Sequence, residues 1–168
     1  MTPAFLRASI DGDRTEAERM LCLSLPDSWP DIVPILKMRL GQLEADPALA
    51  PWLLRAIVLQ GSGTMIGHIG FHTAPGAPYL LEWSPSAVEF GITVFSPYRR
   101  QGYAREASLA LMHWAQAVHS VTEFIVTVGR TNTASRALVA DLGFEAVGSH
   151  LDEVDGIEDV YLKRPSAS

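Results

Sequence analysis

The stretch Ser96-Pro97-Tyr98-Arg99-Arg100-Gln101-Gly102-Tyr103-Ala104 separates two segments of different periodicity. Before it, Val88-Glu89-Phe90-Gly91-Ile92-Thr93-Val94 alternates as a strand does. After it, Ala107, Leu111, Trp114, Ala115 and Val118 recur at helical spacing, which predicts a helix over 104–118. A strand passing through a short basic loop into a long helix is a βα junction, the building unit of an α/β protein. The first turn of such a helix leaves backbone amides without partners, and the helix dipole adds roughly half a positive charge there. Gly102, lacking a side chain, lets an anion approach those amides, and Ala104 keeps the first turn uncluttered. Arg99, Arg100 and Arg105 add positive charge at the same point. On its residues alone the loop reads either as an anion cradle or as a tight turn with solvated arginines.

Outward from this junction the same reasoning orders the rest of the chain. Phe5 to Ile10 is expected as a short strand. Asp11 to Leu23 is expected as a helix capped by Asp13, with Ala17, Met20 and Leu21 on one face. Pro26 and Pro30 must break it, and a second helix resumes near Asp31 with Ile35, Leu36, Met38 and Leu40 as its apolar residues. It exits through 46–51. Trp52 to Leu59 and Thr64 to His72 read as strands joined by Gln60-Gly61-Ser62-Gly63. Thr73 to Pro85, with three prolines, reads as an irregular excursion. Phe124 to Val128 is a strand, Asn132 to Leu142 a helix, and Phe144 to Ser149 a strand. The acidic Asp152-Glu153-Val154-Asp155 then reads as a hairpin end leading through Gly156 to Asp159–Lys163. The expected order is β-α-α-β-β-β-α-β-α-β-β, an α/β arrangement in which most strands can pair with sequence neighbours.

A chain of 168 residues, 48% hydrophobic and 19% charged, suits one globular domain over 1–168, with 164–168 as a frayed tail. The single cysteine, Cys22, excludes a disulfide framework and a Cys-rich zinc site, and its apolar neighbours predict a buried thiol. No apolar run approaches the roughly 18 residues of a membrane span, and the N-terminus does not have the pattern of a signal peptide. A cytoplasmic protein is the expectation, with no membrane partner. The net charge of −6 argues against a nucleic-acid partner and accords with a cationic or amine-bearing substrate. No metal is expected: of the five histidines, His68 and His72 share a strand face but lie about 13 Å apart by strand rise.

Taken together, Glu89-x-Gly91, Ser96-Pro97-Tyr98, Arg99-x-x-Gly102-x-Ala104 and Glu106-Ala107 resemble the acetyl-coenzyme A loop of the GNAT acetyltransferase superfamily. Asn132-Thr133-Ala134-Ser135, Leu138 and Gly143-Phe144 are similar to the C-terminal motif of its branch of ribosomal-protein N-terminal acetyltransferases. The resemblance runs over nearly the whole chain, with the N-terminal third matching in outline. It implies a mixed, mostly antiparallel central sheet with helices on both faces and splayed strands forming a cofactor cleft. It implies acetyl-CoA as co-substrate. Thr93 and Val94 on a bulged strand would meet the pantetheine arm. Arg99, Arg100 and the amides of Gln101, Gly102, Tyr103, Ala104 and Arg105 would hold the pyrophosphate, with Asn132 and Ser135 opposite.

Direct acyl transfer requires an uncharged amine, a route for its proton, and donors facing the thioester oxygen. Glu89 matches an acidic position that serves in the family as base; it either plays that part or shapes the acceptor site. Where many relatives have a tyrosine that protonates the leaving thiolate, this chain has Val139, which has no proton to give. Ser135, a water, Tyr161 or Tyr103 would have to substitute, although a thiolate whose pKa is near about 8.5 leaves tolerably unaided. Trp29, Trp83, Asp27, Asp31 and Glu82, in the variable segments, either form an aromatic and acidic mouth for a cation or cap the core and face solvent. The implied activity is N-acetyl transfer to a primary amine, a protein N-terminus or a small molecule, by a monomer or homodimer. The alternative is a non-catalytic acyl-CoA-binding or regulatory module, which Val139 makes conceivable and Glu89 disfavours. A phosphate-binding domain of another family is disfavoured, since Gly102 has no following Lys-Ser/Thr pair and no GxGxxG occurs.

Overall fold

The computed structural model describes residues 1–152 and 156–165. Most of the acidic turn, Glu153, Val154 and Asp155, and the end of the expected frayed tail, 166–168, lie outside the described residues.

The N-terminal strand expected at Phe5–Ile10 is instead a helix, α1, over Pro3–Ile10. The Thr2 side chain accepts the Phe5 amide at 3.3 Å, and Pro3 occupies the start, where its missing N–H removes no helical bond. Phe5, Leu6 and Ser9 are the buried positions, a helical face. A short apolar run does not distinguish strand from helix by period, and here the cap decides. Helix α2, Arg14–Leu21, starts as expected at Asp13, whose carboxylate accepts the Glu16 amide at 3.1 Å. Cys22 is its left-handed C-cap, with φ 52°, and is exposed rather than buried, because the chain turns off the apolar face there. The proline-rich break contains a 3-10 turn, Trp29–Ile32, and α3 follows over Val33–Ala45. Leu36 and Leu43 of α3 are buried, whereas Met38, one of the apolar residues expected in this helix, is 55% exposed.

Strand β1 covers Arg55–Val58 and β2 Met65–Phe71, antiparallel with Arg55 opposite Ile69 and Ile57 opposite Gly67. After an excursion with one 3-10 turn at Pro78–Leu80 come β3, Val88–Val94, as read from the sequence, and a 3-10 turn at Ser96–Tyr98. Helix α4 spans Tyr103–His119, β4 Phe124–Gly129, α5 Thr133–Asp141, β5 Glu145–Asp152 and β6 Gly156–Lys163. In α4 the buried residues are Ser108, Leu111, Met112 and Ala115, while Val118, near the helix end, is 60% exposed.

The fold is mixed α/β with a six-stranded sheet ordered β1-β2-β3-β4-β6-β5. Pairing is parallel at β3/β4 and antiparallel at β1/β2, β4/β6 and β5/β6. Two compact units divide the chain: Met1–Gly70 with Ile92–Gln101, and Phe71–Gly91 with Gly102–Ser168. The first is built on Phe5, Leu6, Trp29, Leu36, Met65 and Phe95. In it, a side chain on Gly67 would overlap the Thr93 carbonyl, so glycine there is a condition of close strand approach. The second unit packs Ala77, Leu80 and Ala87 with Ile125, Val160 and Leu162. Phe71 lies beside Phe90, Trp114 and Phe124 in the same unit, at centroid distances of 6.1, 6.3 and 6.5 Å.

Candidate active site

The basic loop ends in two left-handed residues, Arg100 at φ 60° and Gly102 at φ 86°. Glycine takes such a φ without strain, which accounts for Gly102 by backbone conformation. No atom would lie within 4 Å of a Cβ built there, so the space over Gly102 is open. Gly102 is the N-cap of α4 and supplies no side chain to the first turn; its carbonyl accepts the Glu106 amide at 3.1 Å. The amides of Tyr103, Ala104 and Arg105 therefore start a 17-residue helix without a side-chain cap, a donor set suited to a phosphate. Of the loop's own side chains, the Arg99 Nε donates to the Val94 carbonyl at 2.8 Å and the Gln101 amide to the Pro97 carbonyl at 3.3 Å. Arg105 pairs with Asp141 at 2.7 Å, and Arg100 is exposed. Thr93 and Val94 end β3, half-buried.

At the start of α5 the Asn132 side chain accepts the Ser135 amide at 3.1 Å. Asn132 is thus the helix cap, exposed, with Ser135 half-buried in the first turn. Val139 is 2% exposed, packed rather than facing an open site.

Glu89 is a buried carboxylate of the second unit, 5% exposed. β3 and β4 pair at Val88↔Phe124 and Glu89↔Ile125, and among the described residues their ladder ends there. Thr127, two residues beyond Ile125 and so on the same face of β4, donates its hydroxyl to Glu89 Oε1 at 2.7 Å. His72 follows β2, and its amide donates to the Glu89 carbonyl at 2.8 Å. Its imidazole Nδ1 lies 3.1 Å from Glu89 Oε2. The Tyr79 hydroxyl, from the Pro78–Leu80 turn, is a further donor to the same carboxylate. Burial works against ionisation of Glu89. The hydrogen bond and charge of His72, with the Thr127 and Tyr79 hydroxyls, outweigh it and hold the carboxyl below its ordinary pKa. Glu89 was legible in the sequence as the acidic residue of the strand; its ring of donors was not, since Thr127 and His72 reach it through strand register.

The expected aromatic mouth is divided. Trp29 is 4% exposed in the core of the first unit, its ring 5.7 Å from Phe5, so it belongs to the core and offers no lip to a cation. Trp83, in the second unit, is half-buried over Gly148, where a Cβ would overlap the indole. Asp27 pairs with Arg14 at 3.0 Å, and Asp31 and Glu82 are exposed. A group the sequence reading did not find lies on the β5–β6 hairpin. His150, Asp152 and Glu158 bring one donor atom each within 4.8 Å of one another, through the cross-strand pairing of His150 with Glu158. Among the described residues no helix is long and apolar enough to cross a membrane.

A family model described as an acetyltransferase (GNAT) domain matches residues 9–145. No curated protein sequence matches the chain. Among solved structures, ribosomal-protein-alanine N-acetyltransferase from Brucella melitensis is 22% identical with a TM-score of 0.62, over 98% of this chain and 97% of that one. The microcin C7 self-immunity acetyltransferase MccE, solved with acetyl-CoA and AMP, is 14% identical with a TM-score of 0.60, over 97% and 87%. A GNAT-family acetyltransferase from Bacillus anthracis is 22% identical with a TM-score of 0.55; the alignment covers 66% of this chain and 65% of that one. At these identities the likeness is one of fold.

Proposed function

The chain belongs to the GNAT acetyltransferase family, and on that premise we propose that it is an N-acetyltransferase moving the acetyl group of acetyl-CoA directly to a primary amine. The acceptor is a protein N-terminus or a small-molecule amine. The observation that carries the reading is the start of α4: a long helix whose N-cap is a left-handed glycine with open space above it, preceded by basic residues. In this proposal the amides of Gly102 to Arg105, with Arg99, Arg100 and Gln101, hold the pyrophosphate, and Thr93 and Val94 meet the pantetheine arm. Asn132 and Ser135, at the start of α5, complete the cofactor contacts. Bound there, acetyl-CoA supplies an activated acyl group and a leaving thiolate. The early end of the β3/β4 ladder at Glu89 supports the reading, because an opened ladder leaves backbone groups for a ligand. Glu89 and Trp83 belong to the acceptor side. Val139 has no proton to give, so the thiolate leaves unaided or takes its proton from Ser135 or water.

The test joins binding with turnover. Acetyl-CoA should raise the melting temperature, and Gly102→Trp should reduce that shift and weaken affinity by at least about tenfold. Acetyl transfer is then measured on N-terminal peptides, polyamines, amino acids and aminoglycosides. Cofactor binding without transfer to any amine would favour the non-catalytic module. Absence of thermal protection, with affinity unchanged by Gly102→Trp, would remove the cofactor site itself.

A further inference from the structure

Glu89 is poorly suited to be the base of such a reaction. Its carboxylate is buried, accepts from Thr127, and is approached by His72 and Tyr79. Lone pairs occupied by donors are not available to an incoming ammonium, and a carboxylate stabilised in its charged form has little appetite for a proton. The imidazole beside it is placed differently. His72 is about one-third exposed, its side chain at 34% against 6% for Glu89, so it reaches solvent where the carboxylate does not. With Nδ1 set toward Glu89, the ring carries its N–H on that nitrogen, and Nε2 is the basic one. Nε2 lies over Gly91 of β3, where even an added methyl would stand only 3.0 Å away. Glycine at 91 lets the ring occupy this position beside the strand. His72, Glu89, Gly91, Thr127 and Tyr79 all belong to the second unit.

Resting on the acetyltransferase reading, we infer that His72 is the catalytic base that accepts the proton of the acceptor amine, and that Glu89 is its positioning residue, held in turn by Thr127 and Tyr79. An alkyl ammonium gives one proton to His72 Nε2, making an imidazolium paired with the Glu89 carboxylate. The freed nitrogen lone pair forms the C–N bond to the acetyl carbon, and the C–S bond breaks with its electrons on sulfur. The second nitrogen proton ends on the thiolate, giving coenzyme A thiol and the amide. His72 then returns its proton to solvent. The arrangement divides labour as a His–carboxylate pair does elsewhere: the carboxylate fixes tautomer and orientation and stabilises the cation without being protonated itself.

The test starts from wild-type protein acetylating an amine found in the panel above. His72→Gln should lower kcat at neutral pH by about a hundredfold or more, within the range for loss of a general base, with acetyl-CoA affinity within about twofold of wild type. Glu89 faces the imidazole directly, and Tyr79 donates to the same carboxylate. The variant's rate should follow the amine's own ionisation, rising about tenfold per pH unit. Added imidazole should restore activity to His72→Ala in a saturable manner, which a merely structural loss would not permit. Glu89→Gln should retain more activity than His72→Gln. In ¹⁵N spectra of the resting protein, neutral His72 should carry its proton on Nδ1, and Glu89→Gln should disturb that tautomer preference. An unchanged rate and pH profile in folded His72→Gln, or Glu89→Gln proving the more damaging with no imidazole rescue of His72→Ala, would overturn the base assignment. Silence of the wild type toward every amine would overturn the acetyltransferase reading instead, while the spectra still report on the pair.

Discussion

His68 is a buried histidine with no part in the proposed chemistry, and it ties stability to pH. It is 5% exposed in the first unit, lies edge-on to Phe95 at 6.1 Å, and its Nε2 has no hydrogen-bond partner among the described residues. Burial, with the positive Arg39 nearby, lowers its pKa to about 4. In the unfolded chain a histidine titrates near about 6.5, so between these values the unfolded state binds more protons than the folded one. Stability therefore falls as pH drops through that window. The shift amounts to about 3 kcal/mol, at about 1.4 kcal/mol per unit. Glu89 acts in the same direction at lower pH, because its depressed folded pKa puts the loss below the ordinary carboxylate value. Chemical denaturation at pH 7.5, 5.5 and 4 should follow this decline in wild type, and His68→Leu should flatten it. The same slope in the leucine variant would place the proton uptake elsewhere.

The start of α5 separates a structural from a ligand role at one position. Asn132 caps the helix by accepting the Ser135 amide, a contact worth about 1 kcal/mol when an N-cap is reduced to alanine. Asn132→Ala should lower stability by about that amount. Asn132→Asp keeps an oxygen for the Ser135 amide and suits the helix dipole, so stability should hold, but its negative charge should weaken acetyl-CoA binding several-fold. Equal affinity in the aspartate variant would leave Asn132 as a cap alone. This element was readable in advance, as were β3 and α4, because each combines a clear period with a cap or turn residue at its end. α1 was not, since its apolar run is too short for its period to decide between strand and helix. The site divides in the same way. Gly102 and Glu89 stand in local patterns, whereas His72 and Thr127 become neighbours of Glu89 only through β-pairing that no single strand encodes. Trp29 shows the converse: a tryptophan in a proline-rich break can serve the core as readily as a mouth, and here its ring packs on Phe5.

At the scale of the whole molecule, a net charge of −6 sets a problem for a cofactor that is itself a polyanion. The average field of the chain repels acetyl-CoA, so capture must depend on local positive groups acting inside the screening length, about 8 Å at physiological salt. Arg99 is turned to the Val94 carbonyl and Arg105 to Asp141, which leaves exposed Arg100 as the loop cation best placed to meet a phosphate. Its left-handed backbone, φ 60°, is as unfavourable for glutamine as for arginine, so Arg100→Gln removes the charge without relieving or adding strain. The variant should bind acetyl-CoA several-fold more weakly at 50 mM salt. At 1 M salt, where screening falls to about 3 Å, the two proteins should differ by less than about twofold. A deficit that persists at high salt would mean that Arg100 acts through loop shape rather than charge. If there is no deficit at low salt, the phosphate is held by the α4 amides alone, and the acidic surface is overcome by backbone dipoles without help from the loop's arginine.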